Sequence, residues 1–356
     1  MSVYIIAEAG VNHNGSVELA LQLIDKAVEA GADAVKFQTF KAEEIIADTA
    51  PKAPYQKRLT GEDESQLEMV KRLELTAADH ITLHAHCKNN NIDFLSTAFD
   101  PESLKMLSEN FEMPMFKIPS GEITNAQLLL ETAKLKKPII LSTGMCILGE
   151  IEDALGVIAF GFSTTTGVPS GSEFKKAWLS QQGYNAIKDK VTLLHCTTEY
   201  PAPFESVNLA AMDGLKKSFG LRIGLSDHTV GINIPIAAVA RGAEVIEKHF
   251  TLDRNLPGPD HQASLEPMEL KQMVQGIREV EMAMGNARKV PALEEVKNMA
   301  VARKSLVALK PIRKNEKFTT ENLGCKRPGT GISPIYYWDY LGKPAEKDFQ
   351  KDEVIQ

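Results

Sequence analysis

The strongest constraint on this chain is an alternation in residues 1–285, where eight short β-rich runs are separated by stretches with helical spacing. The runs are 3–10 (VYIIAEAG), 33–39 (DAVKFQT), 92–99 (IDFLSTAF), 114–120 (PMFKIPS), 137–144 (KPIILSTG), 190–197 (KVTLLHCT), 221–228 (LRIGLSDH) and 243–250 (AEVIEKHF). Several are continuous apolar segments, as parallel strands covered on both faces require. Between them stand amphipathic patterns such as SVELALQLIDKAVEAGA (16–32) and LKQMVQGIREVEMAMG (270–285). A strand–helix unit repeated in this way predicts an α/β fold, a (β/α)8 TIM barrel. An open doubly wound sheet is the alternative. The opening AEAGVNHNG lacks the GxGxxG spacing and argues against a dinucleotide fold.

After Gly285 the pattern breaks. The division expected is a barrel over 1–285, a linker over 286–304 (extended, then helical), and a small β-rich domain over 305–356. A tail this short buries little core, so it should dock on its own barrel or on another subunit. Two connections are long. Residues 40–64 follow the second strand, at the catalytic end of a barrel, and could cover substrate. Residues 160–189 precede the sixth strand, on the opposite face, and read as a peripheral solvated loop.

The formal net charge of −7 gives no basic surface for a polyanion, so nucleic acid is not an expected partner. No run has the length of a membrane span and no signal peptide is visible, which predicts a cytoplasmic protein with no membrane partner. The four cysteines (Cys87, Cys146, Cys196, Cys325) form no metal spacing and read as reduced thiols.

If the barrel is right, chemistry gathers where its strands end. His228 ends the run 221–228 and His249 falls near the end of 243–250, one strand–helix–strand unit later. Imidazoles on neighbouring strand ends can hold one divalent metal; otherwise they are unrelated polar residues, one a satisfied core histidine. Glu8 can act as general acid or base, or bind a backbone amide. Asn12 and His13 follow in the first loop, where His13 equally suits a helix start. Lys36, inward in an apolar strand, must find an anion or lose its charge. It is an anion ligand, a Schiff-base nucleophile or half of an ion pair, and Gln38 shares its face. Lys117 in KIPSGE poses the same choice, with Ser120 and the backbone near Gly121 suited to cradle an oxyanion. Thr97, Ser142, Thr198 and Ser226 add hydroxyls at strand ends. Such a ring around two lysines suggests an anionic, oxygen-rich substrate such as a phosphorylated acid. Glu247 shares a strand face with His249, as a metal ligand or as the group that orients that ring. Asp260 in PGPDH is a carboxylate near the histidine pair, or a turn residue. His84 and His86 read as surface residues, and His195 as a satisfied core histidine.

The ordered segments IIAEAGVNHNG, DAVKFQTF, KIPSGE, ILSTGM, LLHCTTEYPAPFE, GLSDHT, EKHFTLD, PGPDH and KRPGTGISP resemble the sialic acid (N-acetylneuraminate) synthase family, in its bacterial sialic and legionaminic acid branch. The resemblance covers essentially the whole chain. It implies a barrel followed by a small antifreeze-like (SAF-type) domain, in a homodimer whose C-terminal domain covers the partner's barrel. The reaction implied is a condensation of phosphoenolpyruvate with an open-chain N-acetylated amino sugar, with C–O cleavage and release of phosphate. By resemblance, His228 and His249 hold Mn2+ or Mg2+, and Glu8 is the general acid/base. Lys36 faces the phosphoenolpyruvate carboxylate and Gln38 the sugar. Lys117, Ser120, Thr97 and Ser226 contact phosphate or carboxylate, and Tyr200 and Asp260 contact sugar. Arg327 binds the N-acetyl group from the partner subunit. Some members carry Asn against phosphoenolpyruvate where this chain has Thr198, and the insertion at 160–189 is longer than the resemblance leads one to expect.

The leading reading is an N-acetylneuraminate synthase acting on N-acetylmannosamine. The alternative is an N,N′-diacetyllegionaminate synthase acting on 2,4-diacetamido-2,4,6-trideoxymannose. The two sugars differ at C4 and C6, so the pockets must exchange hydroxyl donors for apolar or amide room. More distant are a lysine-dependent aldolase using Lys36 or Lys117, and a carbohydrate- or ice-binding protein suggested only by the tail.

Overall fold

The computed structural model describes residues 2–53, 56–57, 64–163 and 167–356. The chain divides into two compact units, Met1–Gly285 and Asn286–Gln356.

The first unit is a nearly closed parallel barrel. Its strands are β1 (Tyr4–Gly10), β2 (Ala34–Thr39), β3 (Asp93–Ala98), β4 (Phe116–Ile118), β5 (Ile139–Ser142), β6 (Val191–Cys196), β7 (Arg222–Asp227) and β8 (Val245–His249). They run in the order β3-β2-β1-β8-β7-β6-β5-β4. Every one of the eight runs expected from sequence carries a strand, each trimmed at its ends. The β1–β8 ladder joins the first strand to the last. β3 and β4 are neighbours without a hydrogen-bonded ladder among the described residues. With only three residues, β4 offers little backbone to pair.

Helices cover the barrel by burying one apolar stripe each. Helix Val17–Ala30 starts where the Ser16 hydroxyl accepts from the Leu19 N–H. It buries Ala20, Leu23, Ile24 and Ala27, and stops at Gly31, whose φ of 80° a side chain would resist.

The stretch 160–189 is not the solvated loop its composition suggests. It begins inside helix Leu148–Ser163 and continues as helices Gly171–Leu179 and Gln181–Ile187. Phe174 sets its ring edge-on to Phe160 at 5.3 Å, and Trp178 packs on Phe219 at 6.1 Å. The polar sequence hides an apolar stripe that only the packed helices reveal. The TTT at 164–166 lies outside the described residues.

The second unit has its own small core, including Leu306, Ile312, Phe318, Leu323, Phe349 and Ile355. Strands β9 (Ser305–Ala308) and β10 (Leu323–Lys326) pair antiparallel, and isolated bridges tie in the final turns. Residues 286–304, expected as a linker, contain helix Leu293–Ala302, which belongs to this unit. Among the described residues, no helix is long and apolar enough to cross a membrane.

Candidate active site

Strand register assembles the site before any side chain is considered. Glu8 on β1 stands level with Lys36 on β2 and with His249 on β8. Gln38 is level with Thr97, and Ser226 with Glu247. Parallel strands end together on one face, so these residues line the same mouth. They surround a cavity of ≈ 400 Å³, a size typical of small-molecule sites. Glu8, Lys36, Gln38, Thr97, Lys117, Ser120, Ser142, Thr198, Tyr200, Ser226, His228, His249 and Asp260 all line it. Arg327 lies in the second unit, where its Nε donates to the Ala302 carbonyl at 3.0 Å.

The floor is a buried charge network. Lys36 Nζ lies 2.7 Å from Glu8 Oε2 and 3.6 Å from Glu247 Oε2, and donates to Thr97 Oγ1 at 3.0 Å. Lys117 Nζ donates to Glu247 Oε1 at 3.0 Å, and the Ser226 hydroxyl donates to the same oxygen at 2.8 Å. Of the two roles its spacing suggested, Glu247 does not take that of orienting His249, since its hydrogen bonds come from Lys117 and Ser226. Its carboxylate turns to two ammonium groups, where opposite charge repays burial. Burial would raise its pKa, but Lys117 and Lys36 hold it well below the usual carboxylate range. Glu8 has the opposite outcome. Burial and the nearby Glu247 charge outweigh Lys36 and push its pKa up to about 7. Burial opposes charge on Lys36, yet Glu247 and Glu8 raise its pKa, so it stays an ammonium.

On the other side of the mouth stand His228 and His249, with ring centroids 5.5 Å apart. The Thr197 carbonyl accepts from His228 Nδ1 at 2.7 Å, which leaves Nε2 as that ring's lone-pair nitrogen in the neutral form. Burial and the neighbouring His228 lower the pKa of His249 well below the ordinary value, so it is neutral. Its Nδ1 is buried without a hydrogen-bond partner among the described residues, and Asp260 Oδ2 lies 3.9 Å from it. Burial raises the Asp260 carboxyl to about 6. No three-residue metal cluster is preformed among the described residues. Two neighbouring imidazoles, an orphaned nitrogen and a nearby carboxylate nevertheless form a donor set that fits a divalent ion with open positions. Tyr200 stacks on His228 at 4.1 Å and meets His249 edge-on at 5.7 Å, so it orders both rings.

Further hydroxyls point at the cavity. Ser142 Oγ and Thr198 Oγ1 are buried without partners among the described residues, as expected where a ligand supplies them. Ser120 Oγ accepts from the Gly144 N–H at 2.9 Å. A Cβ on Gly144 would come 2.8 Å from Ser120 Oγ and collide with Thr198 Oγ1, so the glycine makes room for both hydroxyls. Asn12 is a staple: its amide donates to the Phe250 carbonyl at 2.8 Å and to Ser264 Oγ at 2.9 Å. His13 accepts from the Gly15 N–H at 3.0 Å, the packing role at the helix start. His84 is half-buried against Phe94 and Phe111 instead of lying on the open surface, while His86 pairs with Asp25 at 2.7 Å. His195 is satisfied by the Val207 carbonyl.

Sequence reasoning missed two features. Lys248, fully buried, lies 2.5 Å from Asp227 Oδ2 and also donates to the Thr229 carbonyl, which pins the segment carrying His228. Its signal was a lysine inside an apolar strand, beside the more conspicuous Glu247 and His249. The second feature is an apolar patch on the cavity wall. Val11, Phe40 and Leu73 are buried there, with Ile45, Val70 and Phe99 packed against them. No motif marks it, because its members come from separate loops.

With this geometry in place, the family comparisons are specific. The NeuB family model matches residues 23–289, and the SAF domain model matches residues 303–356. The N,N′-diacetyllegionaminic acid synthase of Campylobacter jejuni is 53% identical over 352 residues, covering 99% of this chain and 98% of the relative. The enzyme of the same name from Legionella pneumophila is 44% identical over 342 residues, covering 96% and 90%. The crystal structure of an N-acetylneuraminic acid (sialic acid) synthetase from Leptospira borgpetersenii, in complex with citrate, aligns with a TM-score of 0.69 and 35% identity, covering 84% of this chain and 90% of the other.

Proposed function

Because the chain belongs to the NeuB family, we propose that this enzyme condenses phosphoenolpyruvate with open-chain 2,4-diacetamido-2,4,6-trideoxymannose, giving N,N′-diacetyllegionaminate and phosphate. The observation that carries the chemistry is the floor, where Lys36, Lys117, Glu8 and Glu247 meet beside His228 and His249. The sugar follows the legionaminic acid synthases, which are more similar to this chain than the sialic acid synthetase is. The alternative sugar weighed from sequence thereby replaces N-acetylmannosamine as the preferred reading.

In this reading Lys36 and Lys117 receive the carboxylate and phosphate of phosphoenolpyruvate. Thr97, Ser120, Ser142, Thr198 and Ser226 supply hydroxyls, while Glu247 keeps both ammonium groups charged and in place. A carboxyl with a pKa of about 7 can give a proton and take one back at neutral pH. As C3 of phosphoenolpyruvate bonds to the sugar C1, protonated Glu8 gives its proton to the aldehyde oxygen. The resulting carboxylate takes a proton from the water that adds at C2. That transfer leaves Glu8 protonated again, and the tetrahedral centre collapses to the C2 ketone as its C–O bond to phosphate breaks, the C2 hydroxyl proton leaving with the phosphate. Tyr200, Gln38 and Asp260 hold the sugar. His228 and His249 would bind a divalent ion, which as a Lewis acid would polarise the aldehyde. Nitrogen donors favour manganese over magnesium there. Arg327 of a second copy would meet the N-acetyl group, in a homodimer.

A Schiff-base aldolase fits less well. Lys36 is held charged between Glu8 and Glu247, and a nucleophilic amine must be neutral. The test is phosphate release, measured with the trideoxy sugar and with N-acetylmannosamine side by side. Release should need phosphoenolpyruvate and sugar together, favour the trideoxy sugar, stop with a chelator and return with manganese. Equal rates with both sugars would remove the substrate assignment. A borohydride-trapped adduct with chelator-insensitive turnover would remove the mechanism.

A further inference from the structure

The cavity changes character between floor and rim. At the floor stand ammonium groups, carboxylates and imidazoles. Toward the rim, over the ends of β1, β2 and β3, Val11, Phe40, Ile45, Val70, Leu73 and Phe99 form an apolar patch, with Gln56 and Gln66 also lining the cavity. Phe40 and Phe99 meet edge-on at 6.1 Å and fix the back of this patch. Ile45, Val70 and Phe99 are only half-buried, so part of their apolar surface still faces the cavity. Exposed apolar surface in a pocket whose floor is charged is a recognition element for an apolar ligand group.

We propose that this patch is the specificity wall for the sugar's C6 methyl group. The inference rests on the substrate reading above and deepens it. Chemistry at C1 must occur beside Glu8 and the histidine pair, and phosphoenolpyruvate occupies the lysines. The remaining carbons of an open-chain sugar then extend from the floor toward the rim, and C6 is the atom farthest from C1. A methyl group there meets apolar side chains and loses no hydrogen bond. A hydroxymethyl group set against these six side chains would lose its hydrogen bonds to water, and none of the six offers a donor or acceptor in return. The expected discrimination is moderate, because apolar pockets reject an added hydroxyl by only about 10²-fold at best.

Four sugars separate C6 from C4: N-acetylmannosamine, its 6-deoxy analogue, 2,4-diacetamido-2,4-dideoxymannose and 2,4-diacetamido-2,4,6-trideoxymannose. Within each C4 pair, the 6-deoxy member should have the higher kcat/KM for phosphate release, by about 10–100-fold. Val70→Gln and, separately, Ile45→Ser should shrink that ratio to a few-fold, by raising KM for the 6-deoxy sugars, with KM for phosphoenolpyruvate unmoved. A purely structural wall would lower turnover of all four sugars together and leave the ratio intact, and that result overturns the proposal. So does a wild-type ratio near one. Absence of phosphate release with all four sugars would instead overturn the underlying synthase reading, and the wall assignment with it.

Discussion

Floor and rim of the one cavity are built in different ways. The floor stands on β1, β2, β3, β4, β7 and β8, where backbone ladders set each side chain against its neighbour, as Glu8 is set between Lys36 and His249. The rim is carried by the segments after β1, β2 and β3, including the short helices Ala42–Ile45 and Gln66–Lys71. Strands fix charges to the tolerance that proton transfer demands. Loops vary shape without disturbing that frame. The difference explains how one barrel can keep a reaction and change its sugar.

The sharpest way to break the comparison is at the floor. Glu8→Gln should lower kcat by about 10²–10⁴-fold, with KM for either substrate little changed. The wild-type pH profile of kcat/KM should show an inflection near pH 7 that the variant lacks. The protonated carboxyl is the active form in the free enzyme, so the wild-type value should fall tenfold per pH unit above that point. A profile flat through pH 7 would remove Glu8 as the proton donor.

Glu247→Gln should come next. It removes the partner of Lys117 and one of two carboxylates beside Lys36, which should cost about 3 kcal/mol of stability by urea denaturation. Phosphoenolpyruvate should raise the Tm of this variant more than that of the wild type, because the ligand replaces the lost anion. Gly144→Ala is expected to cost about 1–3 kcal/mol by crowding Ser120 and Thr198. Its KM for phosphoenolpyruvate should rise, and an unchanged value would place those hydroxyls outside the binding site. At the rim, Ile45→Ala should cost only about 1 kcal/mol. The pH inflection should stay in place, and a shift would show that floor and rim are not separable.

Legibility follows the same division. Glu8, Lys36, Lys117, His228 and His249 were visible in the sequence because polar residues at the ends of apolar strands have few structural reasons to be there. The helices at 171–187 were hidden by polar composition and became legible only through their packing on Phe160 and Phe219. Glu247 was seen, but its ion pairs with the two lysines were not. Spacing places it on one face with His249, and only the fold brings two ammonium groups to its oxygens.

The sequence by itself determined the repeated strand–helix order, the break after Gly285 and the set of groups able to do chemistry, because periodicity and strand-end position are local properties. The tertiary structure alone decided which carboxylate carries a proton and where the cavity turns apolar. A pKa and a pocket wall are sums over neighbours distant in the chain: Glu8 answers to Lys36 and Glu247, and the rim joins Val11 to Leu73 and Phe99. No window of adjacent residues contains those sums.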